Sequence, residues 1–314
     1  MAGNKIKLTE KNVILKKISE QKLLLLLMLV FMIYFIVFRY LPIAGWVMAF
    51  QNYKPHLGFT GSEWVGLKHF NELFGDPDFF RAIRNTIGMS IIRLIFGFIS
   101  SIGLAILLNE VKNAAFKRFT QTVSYLPHFV SWVVAATIVT TSLERDGIVN
   151  IFFTSLGFLK EPVLWLGEEK YFWLIIALSD MWKEVGWNAI IYLAAISAID
   201  INQYEASIVD GAGRLRRIWH ITLPGMMPTI ILMIILNIGL LLGTFTLVEQ
   251  VMLLDNPMVI KVAETIDLYT LRLGMKLFRF SFAASAGIFK SLVSVILVFT
   301  ANAIAKKLGQ RALI

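Results

Sequence analysis

Long apolar runs separated by short polar segments dominate the pattern of this chain. The first run covers residues 23–41 and follows a segment rich in lysine. Five further runs are each close to the length of about 20 residues that a helix needs to cross a bilayer. They cover residues 83–108, 119–143, 171–199, 225–248 and 281–305. The pattern predicts an all-α integral membrane protein with six transmembrane helices.

A lysine-rich segment before an apolar run is also typical of a secretory signal peptide, whose apolar part is only about 7–15 residues long. This run is longer and reaches Pro42 without a small-residue cleavage site, so we expect a retained helix. Six spans place both termini on one side, and the segments predicted to lie in the cytoplasm are basic, as the positive-inside rule requires. Their basic residues include Lys112, Lys117, Arg118, Arg214, Arg216, Arg217, Lys306, Lys307 and Arg311. We expect a cytoplasmic segment 1–22, a membrane domain 23–305 and a cytoplasmic tail 306–314.

The three predicted outside loops are longer than the inside segments, and their charges are mixed. Residues 58–80 combine glycines with tryptophan and phenylalanine, which predicts short helices at the membrane surface. Residues 249–280 balance acids against bases: Glu249, Asp255, Glu264 and Asp267 against Lys261, Arg272, Lys276 and Arg279.

The composition supports a membrane protein and limits its chemistry. Hydrophobic residues make up 57% of the chain, charged residues 16%, and the mean hydropathy is +0.70, more than a soluble domain buries. The net charge of +9 would suit nucleic acid, but the basic residues flank the apolar runs and orient them in lipid, so we expect no nucleic-acid partner. The absence of cysteine excludes disulfides, thiolate metal sites and thiol nucleophiles.

Familiar sites for nucleotides and metals are missing from the sequence. It contains neither a phosphate-binding loop nor a dinucleotide fingerprint, and its four histidines are far apart. We therefore expect no metal, no cofactor and no catalysis in this chain. A membrane-embedded glycosyl- or phosphotransferase would need a cluster of acids or histidines, which Asp180 and Glu184 alone do not supply. Energy for any transport must come from a partner or from an ion gradient.

A charged, glycine-broken loop at residues 200–224 separates the fourth and fifth apolar runs. Glu205 and its neighbours favour a short helix, Gly211 breaks it, and 214–219 favour a second amphipathic turn before Pro224 begins the fifth span. The loop could simply be a solvated segment whose arginines reach lipid headgroups.

The order of residues in this loop resembles the EAA loop of the permeases of binding-protein-dependent ABC importers. The matching positions are Glu205, Ala206, Asp210, Gly211, Ala212, Ile221, Leu223 and Pro224, and Ser207 stands where the family pattern has alanine. Other parts of the chain are similar to the carbohydrate branch, among them Asn85-Thr86, Leu126-Pro127, Gly147, Asn150, Trp182-Lys183, Gly186 and 192–194. Residues 264–269 and 286–291 look most like permeases for oligosaccharides such as aldouronates.

This resemblance implies the type I ABC importer permease fold and a set of partners. The loop would form a coupling helix that docks on a cytoplasmic ATPase, where Glu205 pairs with a basic group, Gly211 lets the backbones approach, and Arg214 adds to the contact. A permease of this family works with a second homologous permease, which in the sugar branch is a different chain. Two cytoplasmic ATPase subunits bind ATP and magnesium. An extracellular binding protein delivers the oligosaccharide. The implied location is the bacterial plasma membrane.

Charged and aromatic side chains inside the spans are candidates for the sugar path, because buried charges are expensive and aromatic rings stack on sugars. They are Arg93, Asp180, Trp182, Lys183, Glu184, Trp187 and Lys290. Asp180 and Lys183 could instead neutralise each other three residues apart, and the tryptophans could be interface anchors. The small positive excess of this set would suit an acidic, uronate-containing sugar.

Two other transport functions remain open on the sequence. The chain could be an ABC permease for another class of solute, or an ion-coupled secondary carrier. Such carriers commonly have inverted repeats and discontinuous spans, and the sequence shows neither.

Overall fold

The computed structural model describes residues 20–242 and 245–307, without the side chains of residues 245 and 246. Most of the predicted basic N-terminal segment and C-terminal tail therefore lie outside the described residues. The described part is almost entirely helical. Four of its helices are long and apolar enough to cross a membrane, and the number rises to six when each of two sharply bent helix pairs is counted as one span. The predicted all-α membrane architecture is confirmed.

The first span is longer than predicted. Helix α1, Lys22–Phe35, continues through a π-helical segment, Ile36–Tyr40, and a 3-10 segment, Leu41–Phe50, as one run of 29 residues. Pro42 does not end it, because it lies in the first turn of the 3-10 segment, where a missing N–H is least costly. All side chains at 23–38 are exposed in the isolated chain.

A small outer layer follows the first span. Strands β1, Gln51–Asn52, and β2, Glu63–Trp64, pair antiparallel around the short helix α2, Gly58–Gly61. Helix α3, Lys68–Gly75, comes next. Short helices are therefore present between 58 and 80, as predicted, together with a two-stranded hairpin that the sequence pattern did not predict.

Helices α4 and α8 form the centre of the bundle. α4, Pro77–Glu110, begins after Asp76, whose carboxylate accepts a hydrogen bond from the Asp78 N–H. α8, Glu169–Ser197, packs its one glycine, Gly186, against the backbone of Ser124. Inward-facing small and aromatic residues of both helices, including Ala105, Ala189 and Tyr192, are buried in the inner half of the core. This central pair carries the side chains of the site described below.

The third predicted span, 119–143, is not a continuous helix. Helix α5, Ala114–Tyr125, and the 3-10 turn Leu126–Phe129 are bent by 102° from the next pair, α6, Trp132–Leu143, and α7, Ile148–Ser155. Pro127 restricts the backbone before it, and Ser131 caps the new helix by accepting from the Val134 N–H. A short 3-10 turn, Trp165–Gly167, leads into α8.

The fifth span also differs from the prediction. Helix α9, Ile201–Val209, bends 70° away from α8, and α10, Arg214–Arg217, continues through a π-helical segment, Ile218–Thr222, into α11, Leu223–Gly239. The span therefore begins at Arg214 rather than at residue 225, and 214–219 form its first turns instead of a separate small helix. It ends at Gly239 rather than at residue 248, and α12, Phe245–Leu254, follows the break.

The remaining elements close the outer side of the bundle. They are α13, Ile260–Ala263; α14, Ile266–Leu271; the π-helical segment Arg272–Lys276; and the last span α15, Phe280–Lys307. Leu73, Phe79 and Tyr269 join α3, α4 and α14 in one buried cluster with the start of α15. The chain thus has discontinuous spans, contrary to the expectation from sequence.

Gly186 permits the tightest helix contact at the site. A Cβ at this position would lie 2.0 Å from the Ser124 carbonyl oxygen, which belongs to the backbone of α5 and cannot rotate away. We expect Gly186→Ala to destabilise the protein by about 1–3 kcal/mol, the usual cost of overpacking. Thermal unfolding of the purified protein in detergent measures the effect. Gly103→Ala is the matched control, because nothing lies within 4 Å of its Cβ position; equal melting of the two variants would contradict this packing.

Candidate functional site

A cavity of about 280 Å³ lies between the central helices. Its walls come from the middle of α4, the inner half of α8, the end of α11 and the 3-10 turn before the break in the third span. The lining residues with polar side chains are Ser90, Arg93, Ser101, His128, Asp180, Glu184, Asn188, Tyr192 and Asn237. Apolar residues such as Leu94, Phe98 and Met233 fill the spaces between them.

The polar side chains of α8 that line the cavity recur every four residues. Asp180, Glu184, Asn188 and Tyr192 therefore follow one another along a single face of the helix. Sequence reasoning selected the two acids and missed Asn188 and Tyr192. The four-residue spacing of polar groups inside an apolar run was the signal that could have found them.

Arg93 and Asp180 join α4 and α8 across the cavity. Nη2 of Arg93 donates to Oδ1 of Asp180 at 2.5 Å, and both side chains are largely buried. The suggested neutralisation of Asp180 by Lys183, three residues along the same helix, is therefore wrong. The partner of Asp180 comes from another span, α4, and Lys183 pairs with Glu184 instead.

Lys183 stabilises the break in the third span. Its side chain is only 6% exposed, and Nζ donates to the His128 carbonyl oxygen at 2.8 Å and to Glu184 Oε1 at 3.1 Å. The other Glu184 oxygen lies 2.6 Å from His128 Nδ1. A carbonyl at the end of a broken helix has no intrahelical partner, and a cation there is favourable. Lys183 therefore has a structural role in this conformation.

The other predicted path residues lie away from the cavity lining. The Trp187 ring stacks on His128, with centroids 4.3 Å apart, and Trp182 is 39% exposed on the outside of α8. Lys290 pairs with Asp267 in the outer part of the bundle. The predicted positive excess inside the membrane is therefore wrong, because each of Arg93, Lys183 and Lys290 faces a carboxylate.

Residues 264–269 hold the last outside loop onto α4. Glu264, largely buried, accepts from Arg272 at 2.6 Å and 3.1 Å, and Asn85 donates to the Glu264 carbonyl oxygen at 3.1 Å. The Tyr269 hydroxyl donates to Asp76 at 2.6 Å. Burial, and next the hydrogen bond to Asp76, raise the pKa of the Tyr269 hydroxyl far above its usual range. Residues 264–269, which resemble oligosaccharide permeases, thus connect the last outside loop to α4 through buried hydrogen bonds.

Within the loop at 200–224, α9 and the turn up to Gly213 form a bend that we call the elbow. Its end has the two bonds of a Schellman motif: the Gly211 N–H donates to the Ile208 carbonyl and the Ala212 N–H to the Ser207 carbonyl. Gly211 has φ of +74°, a conformation that glycine adopts without strain. The hydroxyls of Tyr204 and Thr222, 2.9 Å apart, tie the elbow to the fifth span.

The predicted coupling residues fall into two groups, one on the elbow and one in the first turns of the fifth span. Glu205 and Ala206 are exposed, and Glu205 has no ion pair within the part of the chain that the structure describes. Ser207 instead donates to the Tyr204 carbonyl and is half-buried. The elbow and the first turns of the fifth span also expose large apolar side chains, each between 57% and 87% accessible: Ile201, Ile208, Val209, Leu215 and Trp219. The structure keeps Arg214, Ile221, Leu223 and Pro224 in one helix on the far side of Gly211.

Comparison with known proteins agrees with this arrangement. Residues 94–312 match the family described as binding-protein-dependent transport system inner membrane component, and the chain belongs to that family. It is 45% identical over 303 residues to the polygalacturonan/rhamnogalacturonan transport system permease protein YteP of Bacillus subtilis, with 96% of this chain and 92% of the relative covered. It is 43% identical over 297 residues to protein LplB of the same organism, with 94% and 92% covered.

A solved structure extends the likeness to three dimensions. The chain superposes with a TM-score of 0.86 and 36% identity on a chain of a bacterial alginate ABC transporter in complex with an alginate pentasaccharide-bound periplasmic protein. The alignment covers 95% of this chain and 99% of that one. The protein is therefore a membrane-spanning permease subunit of an ABC importer with the type I fold, a transport component and not an enzyme.

The role assigned to Lys183 can be tested by its removal. Lys183→Met keeps the length of the side chain but leaves the His128 carbonyl and the Glu184 carboxylate without their buried cation. We expect a loss of about 3–5 kcal/mol, as for other buried pairs that lose one partner. Thermal unfolding in detergent measures it. Lys170→Met is the control on the same helix, because Lys170 is 65% exposed and its substitution should change stability by less than about 0.5 kcal/mol. An equal effect of both substitutions would contradict a structural role for Lys183.

Proposed function

We propose that this chain and a second, different permease form the membrane pathway of an ATP-driven importer for an acidic, uronate-containing oligosaccharide. An extracellular binding protein delivers the sugar, and two cytoplasmic ATPase subunits, which bind ATP and magnesium, drive the cycle. The complex lies in the bacterial plasma membrane with both termini of this chain in the cytoplasm. The basic flanks of the spans support that orientation.

The observation that carries the coupling proposal is the exposed apolar surface of the elbow. A set of large apolar side chains on a polar, glycine-closed turn is a feature of protein interaction sites. Glu205, exposed beside them, can pair with a basic group of an ATPase, and Arg214 lies just beyond the elbow, at the start of the fifth span. The Tyr204–Thr222 contact would transmit a push on the elbow to the fifth span. Gly211 serves here to end α9 in the left-handed conformation.

The nature of the sugar is supported by the relatives. YteP is named for the transport of polygalacturonan and rhamnogalacturonan, and the similar solved structure is described as an importer of alginate, an acidic polysaccharide. The cavity of this chain supplies hydroxyl, amide and carboxylate groups that bind sugar hydroxyls, and one arginine that can bind a carboxylate. Arg93, Asp180 and Glu184 would contact sugar, whereas Lys183 holds Glu184 in position.

An ion-coupled carrier is the alternative that the sequence left open. Discontinuous spans are typical of such carriers, and this chain has them. The argument from sequence that the chain lacks discontinuous spans therefore no longer counts against a carrier. Membership of the binding-protein-dependent family decides between the two, because that family uses a separate ATPase.

The coupling role of the elbow predicts a defect in transport without a defect in folding. Glu205→Lys reverses an exposed charge, so the protein should insert and melt as the parent does, while sugar-stimulated ATP hydrolysis and uptake fall at least about tenfold, the effect of about 1.4 kcal/mol lost from the docked state. Proteoliposomes with the complete importer measure both activities. Gln203→Lys, also exposed on α9, is the control. Unchanged coupling in Glu205→Lys would count against docking through this surface.

The choice of an acidic sugar is tested with a matched pair of substrates. Galacturonate oligosaccharides and the same oligosaccharides after reduction of their carboxyl groups differ only at C6, where a charged carboxylate becomes a neutral hydroxymethyl group. With the complete importer and its binding protein in proteoliposomes, we expect the acidic form to be taken up at least about tenfold more efficiently. Equal uptake of the two forms, or uptake of the neutral form alone, would refute the acidic substrate.

A further inference from the structure

Asp180 satisfies only part of the Arg93 guanidinium. It accepts from Nη2, whereas Nε of Arg93 is buried and has no hydrogen-bond partner among the described residues. Nε and Nη2 form one edge of the planar group, and a carboxylate can accept from both donors of such an edge at once. A buried donor of a charged group that lacks a partner is costly. The Arg93 edge is therefore built for a second acceptor.

A second unpaired donor lies on the same face of α4. The Ser101 hydroxyl is buried, lines the cavity and has no partner among the described residues. Its neighbour Ser100 behaves differently, because its hydroxyl donates to the Phe96 carbonyl within the helix. Ser101 lies eight residues beyond Arg93, about 12 Å along the helix axis. One wall of the cavity thus presents two donors, Nε of Arg93 and the hydroxyl of Ser101, that have no partner among the described residues.

We propose that Arg93 binds the carboxylate of the transported sugar through Nε and Nη2, and that Asp180 is an internal carboxylate that occupies Arg93 between transport cycles. The sugar carboxylate displaces Asp180 from the guanidinium, and Asp180 then accepts hydrogen bonds from sugar hydroxyls. Ser101 binds a further hydroxyl of the same oligosaccharide. This inference rests on the proposed function, since only an acidic sugar brings a carboxylate to the cavity.

The exchange suits a pathway that must bind its cargo and release it. One carboxylate replaces another on the same guanidinium, so the ion pair with the sugar is offset by the lost ion pair with Asp180, and the net gain in free energy is small. The other titratable groups that line the cavity are Glu184 and His128, and Lys183 pairs with Glu184, one turn of α8 beyond Asp180. Asp180 thus limits how tightly Arg93 can hold the sugar, and Arg93 distinguishes acidic from neutral sugars.

The proposal predicts opposite effects from two changes at the same pair. Asp180→Asn removes the competing carboxylate, so a galacturonate pentasaccharide should bind about tenfold more tightly and be released more slowly. Arg93→Gln combined with Asp180→Asn removes both charges without leaving either alone. In that double variant, binding of the acidic sugar should fall about tenfold or more, to the level of the carboxyl-reduced pentasaccharide. Arg93→Lys, which keeps the charge but loses the two-donor edge, should be intermediate.

The measurement is equilibrium binding of the labelled pentasaccharides to the importer in nanodiscs, without the binding protein, with thermal unfolding as a check on folding. Arg84→Gln is the control, because Arg84 is an exposed residue of the same helix and does not line the cavity. If the parent importer takes up galacturonate oligosaccharides in proteoliposomes but the double variant binds them as tightly as the parent, this inference is overturned and the proposed function stands. If the parent complex takes up none, the proposed function itself fails. Weaker binding by Asp180→Asn would overturn the role given to Asp180.

Discussion

The structure depends on the partners that polar groups at breaks in the spans and buried charges need in an apolar environment. A bilayer offers no water to a free carbonyl or a free charge, so each break in a span needs a partner from elsewhere in the chain. Lys183 meets this need at the break before Trp132, where it binds the His128 carbonyl and is itself balanced by Glu184. The same rule pairs Arg93 with Asp180 across two helices. Polar contacts of this kind, rather than apolar packing alone, determine which helices face each other around the cavity.

Much of the architecture could be read from the chain because hydropathy and helix length are local properties. The six apolar runs and the glycine-broken loop all correspond to elements of the structure. The breaks in the spans were harder to predict, since Pro127 lies within an apolar run. Whether the helix changes direction there depends on which groups can bind the free backbone carbonyls and N–H groups at the break. The start of the fifth span at Arg214 was missed for a related reason: charged residues ended the hydropathy signal, although the helix continued through them.

The candidate site shows the same division between local and long-range information. Residue type alone selected Arg93, Asp180 and Glu184, which do line the cavity. It could not choose the partner of each charge, because the choice depends on how α4 and α8 are rotated against each other. Asn188 and Tyr192 escaped notice as uncharged groups. The residues of the loop predicted a helix broken at Gly211, the resemblance gave the loop its expected role, and the structure added the left-handed conformation with which Gly211 closes the helix end.

The first span contributes little to the fold of this chain, since no side chain from residue 23 to residue 38 is buried. Only its outer end, near Ala49, packs into the bundle. The long leucine-rich part is therefore free of internal shape constraints, and this chain alone should tolerate exchange among leucine, isoleucine and methionine there. Sensitivity of that stretch to such conservative exchanges would have to originate in a neighbouring molecule, so a substitution scan of it reads out the surroundings of the protein rather than its interior.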